Sequence, residues 1–311
     1  MTDKTLFHDP VLKKEILAFL LFPGVEIVFD GTLGLGGHAE AILEAFPEVK
    51  HYVACDLDEN HLLFAQKRLS QWQEKLDLHH VNFAELKSLL EAVEDRGPLA
   101  ILLDLGLCSA HVDVGEKGFS FQEDGPLNMC FDTSAKKNAQ TWINKVSRVD
   151  LTRVLRKYGE LSMAPQLAKK IVEFRKEKEI ETTGELKSII ESVAHPQNRK
   201  KALTLAFQAI RMVVNDELEV IEKALSGALQ VMQTGDRMGV ISYHSLEDRL
   251  VKKFFVLNAK PVTQETAFSL HEEVAPPALK LLSKKPYEAS QQERDQNPRS
   301  RSAKLRIIEK I

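Results

Sequence analysis

Cysteine is scarce. Cys55, Cys108 and Cys130 are the only three in 311 residues, and no two of them stand in a CxxC spacing. An odd, scattered set excludes a disulfide framework and offers no ligand pattern for structural zinc, so no metal site is expected. Long apolar runs are missing as well, none approaching the roughly 20 residues of a membrane-spanning helix. The first ten residues have neither the basic nor the apolar stretch of a secretory signal, which points to a reduced, cytoplasmic protein. Neither sign of charge dominates: 42 Lys+Arg face 45 Asp+Glu, a formal net charge of −3. At 28% charged and 43% hydrophobic residues, the composition is that of a folded chain rather than a disordered one.

The charge is unevenly spread. Residues 1–112 carry 9 basic against 18 acidic side chains, residues 113–204 carry 17 against 13, and residues 205–311 carry 16 against 14. Within residues 136–178 the count is 12 basic to 4 acidic, and within residues 280–306 it is 8 to 3. Two basic stretches beside an acidic one suit a polyanionic partner held at one face, although solvated helix faces give the same count.

The first hundred residues alternate short apolar runs with helical patterns. Strands are expected at 26–30 (EIVFD), 52–56 (YVACD), 76–83 and 99–105 (LAILLDL), with helices at 37–46, 60–69 and 86–93 between them. This rhythm predicts an α/β fold, a doubly wound parallel sheet covered on both faces. It stops after Leu107. Residues 115–135 read as a long Gly/Asp/Ser/Pro-rich loop, and helical patterns at 149–158, 164–178 and 183–193 follow without a buried-strand run. The α/β pattern resumes with a long helix at 203–232, a strand at 238–243 (MGVISY), a helix at 246–257 and a last strand at 303–309 (AKLRIIE). The expected organisation is therefore a discontinuous α/β domain, 1–112 with 205–311, interrupted by an inserted loop and small helical basic domain at 113–204. Residues 258–302, polar and proline-containing, are expected to be a poorly ordered connection.

In such a sheet, ligands bind beyond the carboxyl ends of the strands where the strand order reverses. The first of these ends reads Asp30-Gly31-Thr32-Leu33-Gly34-Leu35-Gly36-Gly37-His38-Ala39, whose glycines let backbone approach a ligand while the next helix offers unpaired N–H groups to an anionic moiety. Asp56 ends the second strand, where a carboxylate accepts from both hydroxyls of a ribose. Together these describe a nucleotide-type cofactor site. Gly34-x-Gly36-x-x-Ala39 also satisfies the dinucleotide fingerprint, so an NAD-dependent oxidoreductase stays open. S-adenosylmethionine is favoured on two counts. Asp30 suits an ammonium group and would repel a pyrophosphate, and Asp104 places an acid at the end of the fourth strand, beside the expected methyl donor.

Six ordered motifs carry a resemblance: residues 30–39 (DGTLGLGGHA), 104–113 (DLGLCSAHVD), 118–132 (GFSFQEDGPLNMCFD), 207–218 (FQAIRMVVNDEL), 241–252 (ISYHSLEDRLVK) and 297–306 (NPRSRSAKLR). With residues 8–11 (HDPV) they span nearly the whole chain, which resembles the bacterial 16S rRNA N4-cytidine methyltransferase family (ribosomal RNA small subunit methyltransferase H, the MraW type). The resemblance implies a class I SAM-dependent, Rossmann-like methyltransferase acting on the exocyclic N4 of one cytidine in the decoding region of 16S rRNA, in the assembled small ribosomal subunit. It implies that Gly36, Gly37 and His38 contact SAM, that Asp56 holds the ribose, that Phe83 lies against the adenine and that Asp104 sits near the methyl donor. The family usually has Gln where this chain has His111, so that contact transfers in part. Relatives usually read DGPLDMRMD where this chain has Asn128 and Cys130; the joint loss of an acid and a base suggests a pair lost as a unit. Monomer and homodimer both remain open.

The chemistry asks for little beyond positioning. The lone pair of the cytosine amine is delocalised into the ring, so hydrogen-bond acceptors aimed at its N–H groups favour the reactive geometry. Asp104 and the backbone carbonyls up to Ser109 are the natural acceptors, and Asp124 is a further candidate. His244, just past a strand end, is a candidate contact to a phosphate or the base, whereas Ser245 and Asp248 fit a helix cap. Cys108 raises cytosine C5 chemistry as a minor alternative, the family position being normally Ser. Phosphate contacts are expected from Arg148, Arg153, Arg156, Lys157, Lys169 and Lys170 in the insertion and from Arg299, Arg301, Lys304 and Arg306 in the tail. Arg211 and Asn215, one turn apart, are candidates to line the cleft. A non-catalytic ribosome-assembly factor of the same fold is the remaining alternative.

Overall fold

The computed structural model describes residues 9–94, 96–107, 117–132, 137–264 and 273–311. Cys108, Ser109 and His111 lie outside the described residues. The chain divides into two compact units, Met1–Gly106 with Glu219–Ile311, and Leu107–Leu218. The second is longer at both ends than the 113–204 read from the sequence. Phe207, Ala209, Ile210 and Val214 belong by their side chains to its apolar core, which periodicity along the chain does not reveal.

The first unit is built on a seven-stranded sheet. Its strands are β1 (Ile27–Asp30), β2 (His51–Cys55), β3 (Leu76–His79), β4 (Leu99–Asp104), β5 (Arg237–Ser242), β6 (Leu279–Leu281) and β7 (Lys304–Lys310), in spatial order β3-β2-β1-β4-β5-β7-β6. The first five are parallel and β7 runs antiparallel between β5 and β6. All four residues of β1 are buried, and β4 is buried over its first five. Strands covered on both faces need unbroken apolar sequence, and IVFD and LAILLD supply it. Helices α1 (Gly37–Ala45), α2 (Glu59–Arg68) and α3 (Leu86–Glu91) make the crossovers. In α1, Ala39, Ile42 and Leu43 form the buried stripe, at the spacing one helix face requires. The order reverses between β1 and β4, so the carboxyl ends of these neighbours, Asp30 and Asp104, open the crevice in which such sheets bind ligands.

The second unit is helical: α4 (Ala139–Lys145), α5 (Arg148–Lys157), α6 (Ala164–Glu177), α7 (Thr183–Val193) and α8 (Arg199–Val214). Ser147 caps α5, and a capping box of Thr182 with Glu185 starts α7. Leu151, Val154 and Leu155 turn one side of α5 into the core, each contributing about 1.5–3 kcal/mol of burial.

Three sequence expectations change. The single helix read at 203–232 is two, α8 and α9 (Glu217–Val231), parted at Asp216, whose φ is +49°. Asn215 makes the break: its side chain accepts from Phe131 N at 3.0 Å and donates to Met129 O at 2.8 Å, holding the α8 terminus to the preceding loop. Both helices carry an apolar stripe, so periodicity runs straight through the gap. The third strand stops at His79, short of Phe83, where Asn82 caps a 3-10 turn instead. The connection expected to be poorly ordered holds β6, helix α11 (Gln291–Gln296) and a 3-10 turn, Pro298–Ser302, among its described residues. These polar residues are organised by backbone pairing, Tyr287 bridging to Leu305 and β6 to β7, a signal that hydropathy does not carry. The helix after β5, α10, spans Ser245–Asn258. No helix among the described residues is long and apolar enough to cross a membrane.

Candidate active site

The turn after β1 is tied to both neighbouring strands. Gly31 N donates to Leu102 O at 3.0 Å, Leu33 N to Cys55 O at 3.1 Å and Gly34 N to Asp56 Oδ2 at 2.8 Å. Gly31 permits a close approach, since a Cβ there would lie 2.8 Å from Phe83 Cβ and 2.4 Å from Leu103 Cδ2. Gly36 is the residue before α1 with φ +77°, a left-handed conformation that glycine adopts without strain. Among the described residues no side chain caps α1, so its first N–H groups keep their capacity for an anion.

Asp56 is fixed by backbone donors, Gly34 N at Oδ2 and Asp58 N at Oδ1, both at 2.8 Å. Oδ2 keeps a lone pair beside Gly34 N, whereas Oδ1 is also faced by His61, and the side chain is 13% exposed. Behind it, His61 lies between two acids, Nδ1 3.4 Å from Asp56 and Nε2 3.5 Å from Asp58. Sequence reading passed over His61; an acid-rich DLDENH stretch was the available signal.

Asp30 does not stand open to a ligand as the sequence suggested. It is 1% exposed, its Oδ1 accepts from Thr32 N at 3.1 Å and its Oδ2 accepts from the Tyr52 hydroxyl at 3.0 Å. Burial raises its pKa to about 6, opposed by the His38 charge and by these hydrogen bonds. Its place is inside the sheet, bracing the turn, because Tyr52 of β2 reaches across to it. Burial likewise pushes the neighbouring Cys55 thiol well above its usual range, which makes it inert.

At the end of β4, Asp104 is held from three directions. Its N–H donates to Thr32 Oγ1 at 2.7 Å, its Oδ1 accepts from the Tyr243 hydroxyl at 2.8 Å, and its Oδ2 lies 3.5 Å from His38 Nε2. That His38 nitrogen is buried and has no hydrogen-bond partner among the described residues. Glycine turn, Asp104 and Tyr243 thus meet in one place, although they come from three distant stretches.

Other expected residues have different surroundings. His244 is itself the residue that caps α10, with Glu247 reciprocating, so the cap falls one residue earlier than the Ser245/Asp248 pair read from sequence. Its Nε2 lies 2.9 Å from Glu247 Oε1. Asp248 instead takes Arg306 in a two-pronged pair at 2.7 and 3.2 Å, with Lys304 at 3.8 Å. Arg306 is therefore committed to binding β7 to α10 rather than open to a phosphate. Arg301 donates to Arg294 O at 3.2 Å, and Arg299 lies close enough to Tyr243 for its charge to act on that phenol.

Within the helical unit, Asp124 accepts from Gly184 N at 2.7 Å at the start of α7, which holds its carboxyl below the usual range. Arg211 is paired with Glu217 at 2.7 and 2.9 Å and Asn215 ties the loop, so both hold the α8 terminus. Asn128 Oδ1 accepts from Cys130 N, and the buried Cys130 thiol faces Lys137 O at 2.9 Å, its pKa pushed up to about 11. The altered pair of the loop is absorbed locally. Arg148, Val149, Thr152, Arg153, Arg156, Lys157 and Pro165 line a cleft of about 740 Å³ on α5, where Val149 is 78% exposed. Arg153 has Asp150 at 2.8 Å, and Lys169 on α6 has Glu173 at 3.7 Å; Lys170 is exposed.

A sequence profile of the MraW methylase family matches residues 5–311. The chain belongs to that family. It is an S-adenosylmethionine-dependent methyltransferase, and the nicotinamide alternative falls away. Among its relatives, ribosomal RNA small subunit methyltransferase H of Protochlamydia amoebophila is 40% identical over 98% of this chain and 97% of its own length. Its counterpart in Chlorobium chlorochromatii is 37% identical over 98% and 96%. Among solved structures, an rRNA methylase from Streptococcus thermophilus is 14% identical with a TM-score of 0.41, covering 96% of this chain and 95% of that one; this likeness is too remote to bear on the site. The residues present in this family member fit the cofactor. An anchored, partly exposed acid and, among the described residues, an uncapped helix start and a buried histidine nitrogen lacking a hydrogen-bond partner suit a ribose, a carboxylate and a neighbouring polar group.

Proposed function

We propose that the protein transfers a methyl group from S-adenosylmethionine to the exocyclic N4 of a cytidine in the decoding region (P site) of 16S rRNA, within the assembled small ribosomal subunit and in the cytoplasm. The observation that carries the reading is Asp104, held by Tyr243 and Thr32 at the strand end beside the glycine turn. When bound, the cofactor supplies an already activated methyl, so the protein contributes position and a hydrogen-bond acceptor. In this reading Gly36, Gly37 and His38 hold the cofactor's polar end, Asp56 accepts from its ribose, Phe83 lies against its base, and Asp104 accepts from the cytidine N4–H. Ser109 keeps its role as a backbone-carbonyl acceptor toward N4, and His111 the partial cofactor contact that the resemblance implies for it.

Reaching N4 requires the cytidine to be unstacked, which places the remaining contacts on the RNA backbone. The α5 cleft supports this part, because Arg148, Arg153, Arg156 and Lys157 converge there around an exposed Val149. Such a surface suits phosphates and gives salt-dependent affinity without reading sequence.

The test uses small subunits that lack the modification, incubated with the protein and S-adenosylmethionine. Digestion of the rRNA to nucleosides and mass spectrometry should yield N4-methylcytidine at one decoding-region position. Cofactor binding without any methylated nucleoside would overturn the reading in favour of a non-catalytic assembly factor.

A further inference from the structure

Tyr243 follows β5 and stands 139 positions from Asp104, yet its hydroxyl donates to Asp104 Oδ1 at 2.8 Å. The ring also packs against Gly106, with a Cδ2 distance of 3.3 Å to the place a Cβ would take. Burial, then the Asp104 charge, then the hydrogen bond hold the phenol well above its usual range, so Tyr243 remains a proton donor. Opposite it, Asp104 Oδ2 lies 3.5 Å from the buried His38 Nε2, which has no hydrogen-bond partner among the described residues.

The two oxygens of a carboxylate are equivalent, but an aspartate at 24% side-chain exposure is free to rotate the plane that holds them unless something fixes it. A hydrogen bond to a charged acceptor is strong enough to fix it. We infer that Tyr243 is a positioning residue: it occupies Oδ1 and thereby presents Oδ2, on the His38 side, as the oxygen that meets the cytidine N4–H. This rests on the proposed role of Asp104. In the transfer, the N4 lone pair forms the bond to the methyl carbon, the electrons of the carbon–sulfur bond stay on sulfur, and the N4 proton passes to Oδ2 and then to water.

The full-length protein is assayed with unmodified small subunits as a cycle of Tyr243→Phe, Asp104→Asn and the double variant. Tyr243→Phe keeps the ring over Gly106 and removes one oxygen. Its kcat should fall about 10- to 100-fold, the share of one hydrogen bond to a charged group, with the KM for S-adenosylmethionine within about threefold. In the Asp104→Asn background the same change should cost less than about twofold, because the ionised oxygen that Tyr243 presents is gone even though an amide carbonyl remains to accept its hydroxyl. A merely structural role predicts losses that multiply, and that result, or an unaltered kcat in Tyr243→Phe, overturns the inference. The same cycle run on thermal unfolding keeps the tie testable if turnover is too slow to follow. A wild-type product other than N4-methylcytidine overturns the reading beneath the inference, whereas N4-methylcytidine with independent losses overturns the inference alone.

Discussion

Gly34 donates its backbone N–H to Asp56 Oδ2 at 2.8 Å, locking the turn after β1 to the acid that ends β2. Asp58 N holds the other oxygen, so the carboxylate is oriented before any ligand arrives. Preorganisation of this kind spares a ligand the cost of ordering its own site.

Asp56→Ala removes the ribose acceptor and the partner of Gly34 together. The affinity for S-adenosylmethionine should fall about 5- to 30-fold, the equivalent of one or two hydrogen bonds at about 1 kcal/mol each. Isothermal calorimetry reads this directly, and unchanged affinity removes Asp56 from the cofactor site.

Asp30 gives a pH prediction with a definite sign. Its folded pKa of about 6 lies above the ordinary 3.8, so the fold favours the protonated form. The associated stability is fully present below about pH 3.8 and is lost as pH rises through 6. Above pH 7 ionisation in the fold costs on the order of 3 kcal/mol. Asp30→Asn removes the titration, so its stability relative to wild type should improve from about pH 4 through pH 6 and level off above about pH 7. Urea unfolding across that range checks it, and a constant difference would show that Asp30 ionises without cost.

Arg156→Gln with Lys157→Gln tests the α5 cleft. Each lost phosphate contact should lower the slope of log affinity against log salt by somewhat under one unit, so the pair should lower it by about 1 to 2. Binding to small subunits at several salt concentrations measures it, with cofactor affinity as the control. An unaltered slope places the RNA elsewhere.

Arg306 makes the contrasting case. It and Asp248 are 12% and 15% exposed, so Arg306→Ala leaves a mostly buried carboxylate with only the more distant Lys304 and should cost about 2 kcal/mol, the worth of hydrogen bonds to a charged group. Differential scanning calorimetry should show a lower melting temperature, with the salt slope of subunit binding unchanged. A reduced slope in a fully stable variant would return Arg306 to the RNA surface.

Apolar runs at strand spacing and apolar stripes at helix spacing determined the alternating α/β unit and the helical block, and they placed the glycine turn, Asp56 and Asp104 at strand ends. These signals are local, each written within about ten residues. Only the tertiary structure decided what the chain does with its polar side chains. Tyr243 reaches Asp104, Tyr52 closes over Asp30, Arg306 closes on Asp248, and Asn215 holds the loop at Phe131. A carboxylate or guanidinium looks alike in sequence whether it meets a ligand or a neighbour. The choice is made by desolvation and by the donors that packing brings within hydrogen-bond reach, and those come from residues 22 to 139 positions away.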